Sequence, residues 1–411
     1  MLRKFTMELE TFDKTKRRNL SAIAITKLIH GFGTGLFAVV YQPYLLELTN
    51  SIVLTGLFIT IGSIMQFVPM PLIGKLTDKY NRKYMLITSI PIYIVGLLFL
   101  VFSNQTSLYL VLFGIIFYFL GMILNNLNAQ FLIAENSNKS KGTTFGFMFF
   151  SFFGGNIAAS FFIIIGQGLS SRFYLIFFLG LLLIEAIILI FFINITAIYR
   201  PNPEIQMNKN TQKENMWIKI FKTKTLRSIL IFFTLDIFVY SVSISIYSGG
   251  LNDYYNLTKE NIAFIVLWFN IGNALFQIPA GHITDKIGNK KTLILSNIFG
   301  IGFFFMNILS VILWMNFIRR TLLLTLSIGY VLMALSVCTF IPAEQVILTN
   351  LGEEQKAESY GIVSFFRGIG SIPTGILGGL LLENVHYIAP FIFSTIGILF
   401  EVFFLIKYFH E

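Results

Sequence analysis

The stretch GKLTDKYNRK, residues 74–83, occurs again in the second half of the chain as GHITDKIGNKK, residues 281–291. Each copy is short and polar and lies between two long apolar runs, which is typical of a tight loop between two membrane helices. The glycine that begins each copy would let two backbones approach closely. The aspartate would be a fixed anion at the membrane edge, and the basic residues would hold the loop on one side of the bilayer. The repeat predicts two related halves.

The composition is that of a membrane protein. Of the 411 residues, 55% are hydrophobic and 12% are charged, and the mean hydropathy is +0.75. Soluble domains carry about 25% charged residues. The apolar runs are about 20 to 30 residues long, which suits membrane-spanning helices and excludes the shorter alternating strands of a membrane barrel. The lipid bilayer is therefore the first partner that the sequence predicts.

Apolar runs of this length predict twelve membrane helices, at about residues 19–48, 52–77, 83–103, 107–135, 142–169, 172–197, 226–251, 260–284, 291–315, 319–349, 357–384 and 387–409. A polar N-terminal tail, residues 1–18, precedes them. No cleavable signal peptide is expected, because the first apolar run is too long for one. The polar stretch 198–225 is predicted to link two six-helix bundles, residues 19–197 and 226–411.

The net charge of +10 follows the predicted topology. About 24 of the 30 lysines and arginines fall in loops on one side of the membrane, and about four fall on the other. This asymmetry is the positive-inside rule, so the basicity indicates orientation and does not indicate nucleic-acid binding. Because the number of spans is even, both termini are expected in the cytoplasm, with the protein in the cytoplasmic (plasma) membrane.

The repeated loop resembles the motif G-x-x-x-D-[RK]-x-G-x-[RK]-[RK] of the major facilitator superfamily, which lies between helices 2 and 3 and again between helices 8 and 9. The resemblance covers the whole chain. It implies an all-α membrane fold of twelve transmembrane helices in two pseudo-symmetric six-helix bundles, with a solute site between the bundles. Asn81 stands where the family prefers glycine. Asparagine tolerates a left-handed backbone best after glycine, so we expect the same turn there.

The resemblance also implies a gating role for the loop. In the family the motif aspartate lies at the positive N-terminal end of helix 11 and, with neighbouring basic residues, holds the cytoplasmic face shut. The strength of that contact would set the balance between inward-open and outward-open states. The residues assigned to gating in this way are Gly74, Asp78, Lys79, Arg82, Lys83, Gly281, Asp285, Lys286 and Gly288.

Two charged residues lie near the middle of predicted spans. Asp236 in span 7 and Arg367 in span 11 are each about ten residues from the cytoplasmic start, a depth of about 15 Å. A charge inside the membrane costs about 2.5–3.5 kcal/mol on insertion scales, so each needs a partner or a cavity. At equal depth the two could form an ion pair. Either Asp236 takes up a proton or a cationic group with Arg367 tuning its pKa, or the pair only holds helices together.

Further charged residues are assigned to the coupling or substrate cavity with a structural alternative beside each. Glu344 in span 10 could line the cavity or lie at the membrane interface. Lys27 could face the cavity or extend to the inner interface. His30, one turn further along span 1, could titrate near neutral pH or be a packing histidine. Glu185 and Glu401 fall at nearly matching places in spans 6 and 12, which favours a structural contact within each half.

No arrangement of residues points to catalysis, to a metal site or to a bound cofactor. The four histidines are scattered along the chain, and no metal-ligand spacing or phosphate-binding loop is present. An enzyme is therefore not expected.

The sequence is best interpreted as a monomeric secondary transporter that moves a small solute by alternating access, coupled to protons. Few cavity cations are available for an anionic solute, which favours efflux of hydrophobic or cationic compounds. Two marks of the family's proton-coupled multidrug exporters, R-x-x-x-G in helix 4 and G-P-x-x-G-G in helix 5, are absent. An uptake permease for a polar metabolite (a sugar, amino acid or organic acid) stays an alternative, as does a non-transporting sensor or assembly factor.

Overall fold

The computed structural model describes residues 2–136, 141–194, 224–316, 319–350 and 356–409. The regular structure in these ranges consists of fifteen α-helices. In chain order they are α1 Leu2–Thr49, α2 Ile52–Phe67, α3 Met70–Lys79, α4 Arg82–Phe102, α5 Leu108–Asn136, α6 Lys141–Ile165, α7 Ser171–Phe192, α8 Lys224–Ile244, α9 Tyr247–Tyr255, α10 Lys259–Ile287, α11 Asn289–Asn316, α12 Arg319–Asn350, α13 Lys356–Ser371, α14 Thr374–Asn384 and α15 Ala389–Tyr408.

The fifteen helices correspond to the twelve predicted spans, because three spans are each divided in two. Pro69 precedes α3 in span 2, and Pro373 precedes α14 in span 11. A proline cannot donate a backbone hydrogen bond and clashes with the preceding turn, so it interrupts a helix. Span 7 is interrupted at Ile246, where φ is −112° and ψ is 6°. Within the described ranges, eleven spans are long and apolar enough to cross a membrane, and α10 is the more polar twelfth.

The spans form two bundles. In the first bundle, α1–α7, α1 packs against α6 and α7, and α4 packs against α5. In the second bundle, α8–α15, α12 packs against α10 and α11, and α8 packs against α13 and α15. The bundles meet where α6 lies against α10 and where α2 lies against α14. The predicted all-α fold with two pseudo-symmetric six-helix bundles is confirmed.

Both copies of the repeated loop lie at one end of the bundles, which we name the motif end; the opposite end is the far end. The start of the first span is also at the motif end, since Asn19 Nδ2 donates to Asn136 Oδ1 at 3.0 Å and to the Asn194 carbonyl oxygen at 3.1 Å. Helix α1 begins at Leu2, so it continues through the predicted polar tail. The predicted linker, 198–225, falls mostly outside the described residues and stays a prediction.

The crossing of α2 and α14 requires glycine. A Cβ atom added to Gly375 would lie 2.4 Å from the Gly56 carbonyl oxygen, and one added to Gly56 would lie 2.2 Å from the Gly375 carbonyl oxygen. Contacts this short are not tolerated, so the two backbones approach closely only because neither residue has a side chain.

We expect Gly375→Val to destabilise the folded protein by about 1–3 kcal/mol, because the added atoms force the two helices apart. The measurement is the thermal unfolding of the purified protein in detergent. Gly180→Val is the matched control, since a Cβ at Gly180 meets no described atom within 4 Å. Equal unfolding temperatures for the two variants would contradict the packing described for this crossing.

Candidate functional site

The first copy of the repeated loop lies against the start of span 11. Helix α3, which carries Gly74 and Asp78, packs against α13. This placement agrees with the neighbour that the family resemblance implies for the loop. The side chains of Asp78, Lys79 and Asp285 lie outside the described residues, so their gating role stays a prediction.

The expected close approach at the loop glycines is not seen among the described residues. A Cβ atom added to Gly74 or to Gly281 would meet no described atom within 4 Å. The expected left-handed turn at Asn81 is also wrong. Asn81 has φ −65° and ψ 125°, and its Oδ1 accepts a hydrogen bond from the Lys83 backbone N–H at 2.9 Å. Asn81 is therefore a helix N-cap, whereas Gly288 at the same place in the second copy has φ +84°.

The described basic residues of the first loop make contacts inside the first bundle. Arg82 forms an ion pair with Glu135 at the end of α5, and its guanidinium lies 4.6 Å from the centroid of the Phe131 ring. The Lys83 ammonium donates to the carbonyl oxygens of Ile190 at 3.1 Å and Ile193 at 2.5 Å. Lys83 thus satisfies carbonyl groups at the C-terminus of α7 that have no partner within the helix.

The second bundle repeats the lysine contact. Lys290 donates to the carbonyl oxygens of Ile406 at 3.2 Å and Phe409 at 3.0 Å, at the C-terminus of α15. In the second loop, Lys286 is exposed. The contacts of Lys83 and Lys290 are therefore equivalent under the pseudo-symmetry, and both fix the end of a peripheral helix.

Replacing Lys290 with methionine should lower the free energy of unfolding by about 1 kcal/mol, because the charge-assisted hydrogen bonds to the α15 carbonyls are lost. Lys83→Met should have a similar effect at α7. Thermal unfolding in detergent measures both. Lys291→Met is the matched control, since Lys291 is the adjacent residue and is exposed. If Lys291→Met destabilised the protein as much as Lys290→Met, the lost contact would not be the cause.

Within the second bundle, Arg367 pairs with a residue other than the one predicted. Its Nη1 donates to Glu344 Oε1 in an ion pair, and the guanidinium lies 5.6 Å from the centroid of the Phe233 ring. The direct ion pair between Arg367 and Asp236 that equal depth allowed is not formed in this conformation. Asp236 is 6% exposed and is near enough for its charge to interact with both Arg367 and Glu344. Arg367 therefore contacts Glu344 directly and interacts with Asp236 through its charge.

Asp236 also lies near a third acid, Glu401 of α15, and their charges interact. Tyr240, one turn after Asp236, donates from its hydroxyl to Asn297 Oδ1 at 3.3 Å. Asn297 Nδ2 donates in turn to Glu401 Oε2 at 3.4 Å. The expectation that Glu401 contacts its own half is confirmed, and the contact connects it to the helix that carries Asp236.

The first bundle contains a second polar cluster, in which one buried acid, Glu185, faces a histidine and a lysine. His30 Nδ1 lies 3.0 Å from Glu185 Oε2, and Asn125 Nδ2 donates to Glu185 Oε1 at 3.1 Å. The Tyr93 hydroxyl lies 3.4 Å from His30 Nε2. Lys27, half-buried one turn before His30, is close enough to interact with the Glu185 charge. These contacts favour the packing alternative for His30, because its ring nitrogens face partners inside the first bundle.

Internal symmetry relates the two clusters. A Cβ at Gly155 would lie 2.1 Å from the Leu28 carbonyl oxygen, and a Cβ at Gly370 would lie 2.5 Å from the Thr234 carbonyl oxygen. These equivalent crossings align His30, the second residue after Leu28, with Asp236, the second residue after Thr234. Glu185 and Glu401 then occupy equivalent places. The two halves share the scaffold but differ in the charges that they bury.

Polar contacts join the bundles toward the far end. Gln42 of α1 donates from Nε2 to the Ser245 carbonyl oxygen at 2.7 Å and accepts at Oε1 from the Gly249 N–H at 2.9 Å. Lys259 lies 3.6 Å from Glu47, and Glu383 accepts a hydrogen bond from the Val53 N–H at 3.1 Å. These contacts join the two bundles near the far end in this conformation.

Comparison with known proteins agrees with this architecture. The sequence model of the Major Facilitator Superfamily matches residues 23–250 and 229–411. Multidrug resistance protein 2 of Bacillus subtilis (strain 168) is 23% identical over 398 residues, covering 92% of each chain. Tetracycline resistance protein, class B, of Escherichia coli is 24% identical over 287 residues, covering 67% of this chain and 68% of the relative.

Among solved structures, the crystal structure of the nucleoside transporter NupG superposes with a TM-score of 0.71 at 15% identity. The match covers 95% of this chain and 98% of that chain, and at this identity it establishes the fold. The family consists of transporters and not of enzymes. The repeated loop, the two bundles and the family match together identify the chain as a multi-pass membrane transporter of the Major Facilitator Superfamily.

Proposed function

We propose that the protein exports hydrophobic or cationic compounds from the cytoplasm in exchange for protons. The observation that carries this proposal is the excess of acids buried in the second bundle. Asp236, Glu344 and Glu401 are each at most 6% exposed, and the described cation beside them is Arg367. With these three acids and one cation all ionised, the cluster would have a net charge of −2.

An unbalanced charge is unfavourable inside a membrane. Each charged side chain costs about 2.5–3.5 kcal/mol on insertion scales unless a partner compensates it. Glu344 has Arg367 as its partner, so Asp236 and Glu401 carry the uncompensated charge. Protons or a cationic solute would neutralise them, and an anionic solute would add to the imbalance. This argument supports proton coupling and a cationic or neutral solute.

Exchange follows if one acidic site binds either a proton or the solute. With the far end closed, a cationic solute arriving from the motif end approaches the Asp236 carboxylate, and the proton bound there leaves to water. When the far end opens, the solute dissociates and Asp236 takes up a proton from the other side. In each state either a proton or the cationic solute neutralises Asp236. The conformational change therefore never takes place with the Asp236 charge uncompensated.

Orientation and relatives support the export direction. The lysine and arginine content of the loops supports a cytoplasmic location for the motif end by the positive-inside rule. The protein is proposed to act as a monomer in the cytoplasmic membrane. Two relatives bear names that denote resistance to drugs, multidrug resistance protein 2 and tetracycline resistance protein, class B. Because the exporter motifs are absent from spans 4 and 5, Asp236 is the residue proposed to couple transport to protons.

Ligand-induced stabilisation tests the proposed solute class. Purified protein is heated with tetraphenylphosphonium, with uridine, with a sugar and with an organic acid, each at two pH values. A ligand that binds only the folded state stabilises it by about 2.7 kcal/mol at 100 times its Kd. We expect tetraphenylphosphonium to raise the unfolding temperature, and less so at low pH, where protons compete. Stabilisation by a polar metabolite alone would contradict export and indicate an uptake permease.

A further inference from the structure

We propose that Glu401 forms with Asp236 a buried carboxyl pair in which both groups are protonated in the solute-free protein, and in which Glu401 keeps its proton while Asp236 exchanges its own. Span 12, which carries Glu401, is peripheral in this fold, and the sequence favoured a purely structural role for the residue. The proposal rests on the proton-coupled function and deepens it by naming a second member of the proton site.

The surroundings of Glu401 leave one of its oxygens without a partner. The residue is fully buried, at 0% exposure. Its Oε2 accepts from Asn297 Nδ2, whereas its Oε1 is buried without a hydrogen-bond partner among the described residues. An ionised carboxylate in this position would lack both a counter-charge and half of its hydrogen bonds, which is strongly unfavourable in a low-dielectric interior.

Helices α8, α11 and α14 pack against α15, and each contributes groups to the surroundings of Glu401. Helix α8 contributes Asp236 and Tyr240, and α11 contributes the neutral amide of Asn297. From the described part of α14, the acid Glu383 lies at the far end, bound to the Val53 N–H. The cation of this region, Arg367, reaches Asp236 but is already paired with Glu344. No described cation faces Glu401 directly, so a proton is the available compensation.

The equivalent residue of the first bundle has the opposite surroundings. Glu185 accepts from Asn125 at one oxygen and contacts His30 at the other, and Lys27 is nearby. Both of its oxygens have partners, and the charge of Lys27 interacts with it. Glu185 therefore has the partners that Glu401 lacks, although both occupy the same place in the repeat. This difference provides a matched control within one chain.

The pair extends the exchange cycle by one proton-binding group. In the empty state Asp236 and Glu401 are both protonated, so the second bundle has no net charge. When a cationic solute binds, the Asp236 proton leaves to water and the proton on Glu401 stays, so one cation replaces one proton. Glu401 thereby keeps a second negative charge from developing beside the Asp236 carboxylate. Glu401 therefore acts through the charge beside Asp236 and does not itself contact the solute.

Infrared spectroscopy of the reconstituted, solute-free protein tests the pair. A protonated carboxyl group has a carbonyl stretch separate from the backbone amide bands. The wild type is expected to show this band at neutral pH and to lose it as the pH rises. Glu401→Gln should lose much of the band, Asp236→Asn should move its loss to a different pH, and Glu185→Gln should leave the band unchanged.

Labelling the glutamate side-chain carboxyl carbons with ¹³C makes the test independent of how well a variant folds. Part of the wild-type band should then shift to lower frequency. A band that does not shift on labelling, or one that Glu401→Gln retains in full, would overturn the proposal. The infrared test uses no solute, so a negative result would not argue against export through Asp236. A negative result with the solute panel would likewise not argue against the carboxyl pair.

Discussion

Asp236→Asn is expected to abolish transport driven by a proton gradient, reducing it to the level of vesicles without protein. Asparagine has nearly the same shape as aspartate but cannot bind and release a proton, so the solute and the proton no longer compete for one site. The variant should still be produced and folded, since it replaces a buried ionisable group with a neutral one of nearly the same shape. The measurement is gradient-driven accumulation of tetraphenylphosphonium by the reconstituted protein.

The control for this prediction is Glu185→Gln, which removes a buried acid of the first bundle and leaves Asp236, Glu344 and Glu401 of the second bundle unchanged. It tests whether loss of any buried carboxyl group impairs the protein. Gradient-driven accumulation by Asp236→Asn at the wild-type level would contradict the proton-carrying role of Asp236.

The second large effect is expected at the ion pair between Glu344 and Arg367. Removing one partner of a buried ion pair leaves the other charge uncompensated, at a cost of about 3–5 kcal/mol. The Arg367 side chain is 21% exposed, so we expect a value near the lower end of that range. Glu344→Gln and Arg367→Gln should each destabilise the folded protein strongly. The double variant should be more stable than the sum of the single losses implies.

Thermal unfolding of the two single variants and the double variant completes a double-mutant cycle. The pair Lys259 and Glu47 is the control, since Glu47 is 51% exposed and the loss of an exposed pair is worth about 1 kcal/mol or less. Additive losses for Glu344 and Arg367 would mean that the two side chains do not interact, and would contradict the ion pair.

The sequence predicted the fold well, for physical reasons. Apolar runs long enough to cross a bilayer determine the number and order of the spans, and the repeated loop determines the relation between the halves. The exceptions are local. Span 7 is interrupted at Ile246 without a proline, and Asn81 caps a helix with its side chain instead of adopting a positive φ.

The partners of buried charges were harder to predict. Depth along a span follows from residue count, and it correctly placed Asp236 and Arg367 near each other. The direction in which a side chain points depends on rotation about the helix axis and on the neighbouring helix. Depth alone therefore could not show that Arg367 pairs with Glu344, or that His30 faces Glu185 inside the first bundle. The matching positions of Glu185 and Glu401 were visible, but their different surroundings required the structure.

Export in exchange for protons is tested most directly with purified protein in liposomes. The lumen is made more acidic than the outside, and valinomycin with equal potassium on both sides holds the membrane potential at zero. An antiporter in either orientation then accumulates radiolabelled tetraphenylphosphonium in the lumen, and nigericin abolishes the accumulation. We predict that result. No accumulation under the pH gradient, with binding of the same compound detected, would contradict proton-coupled export.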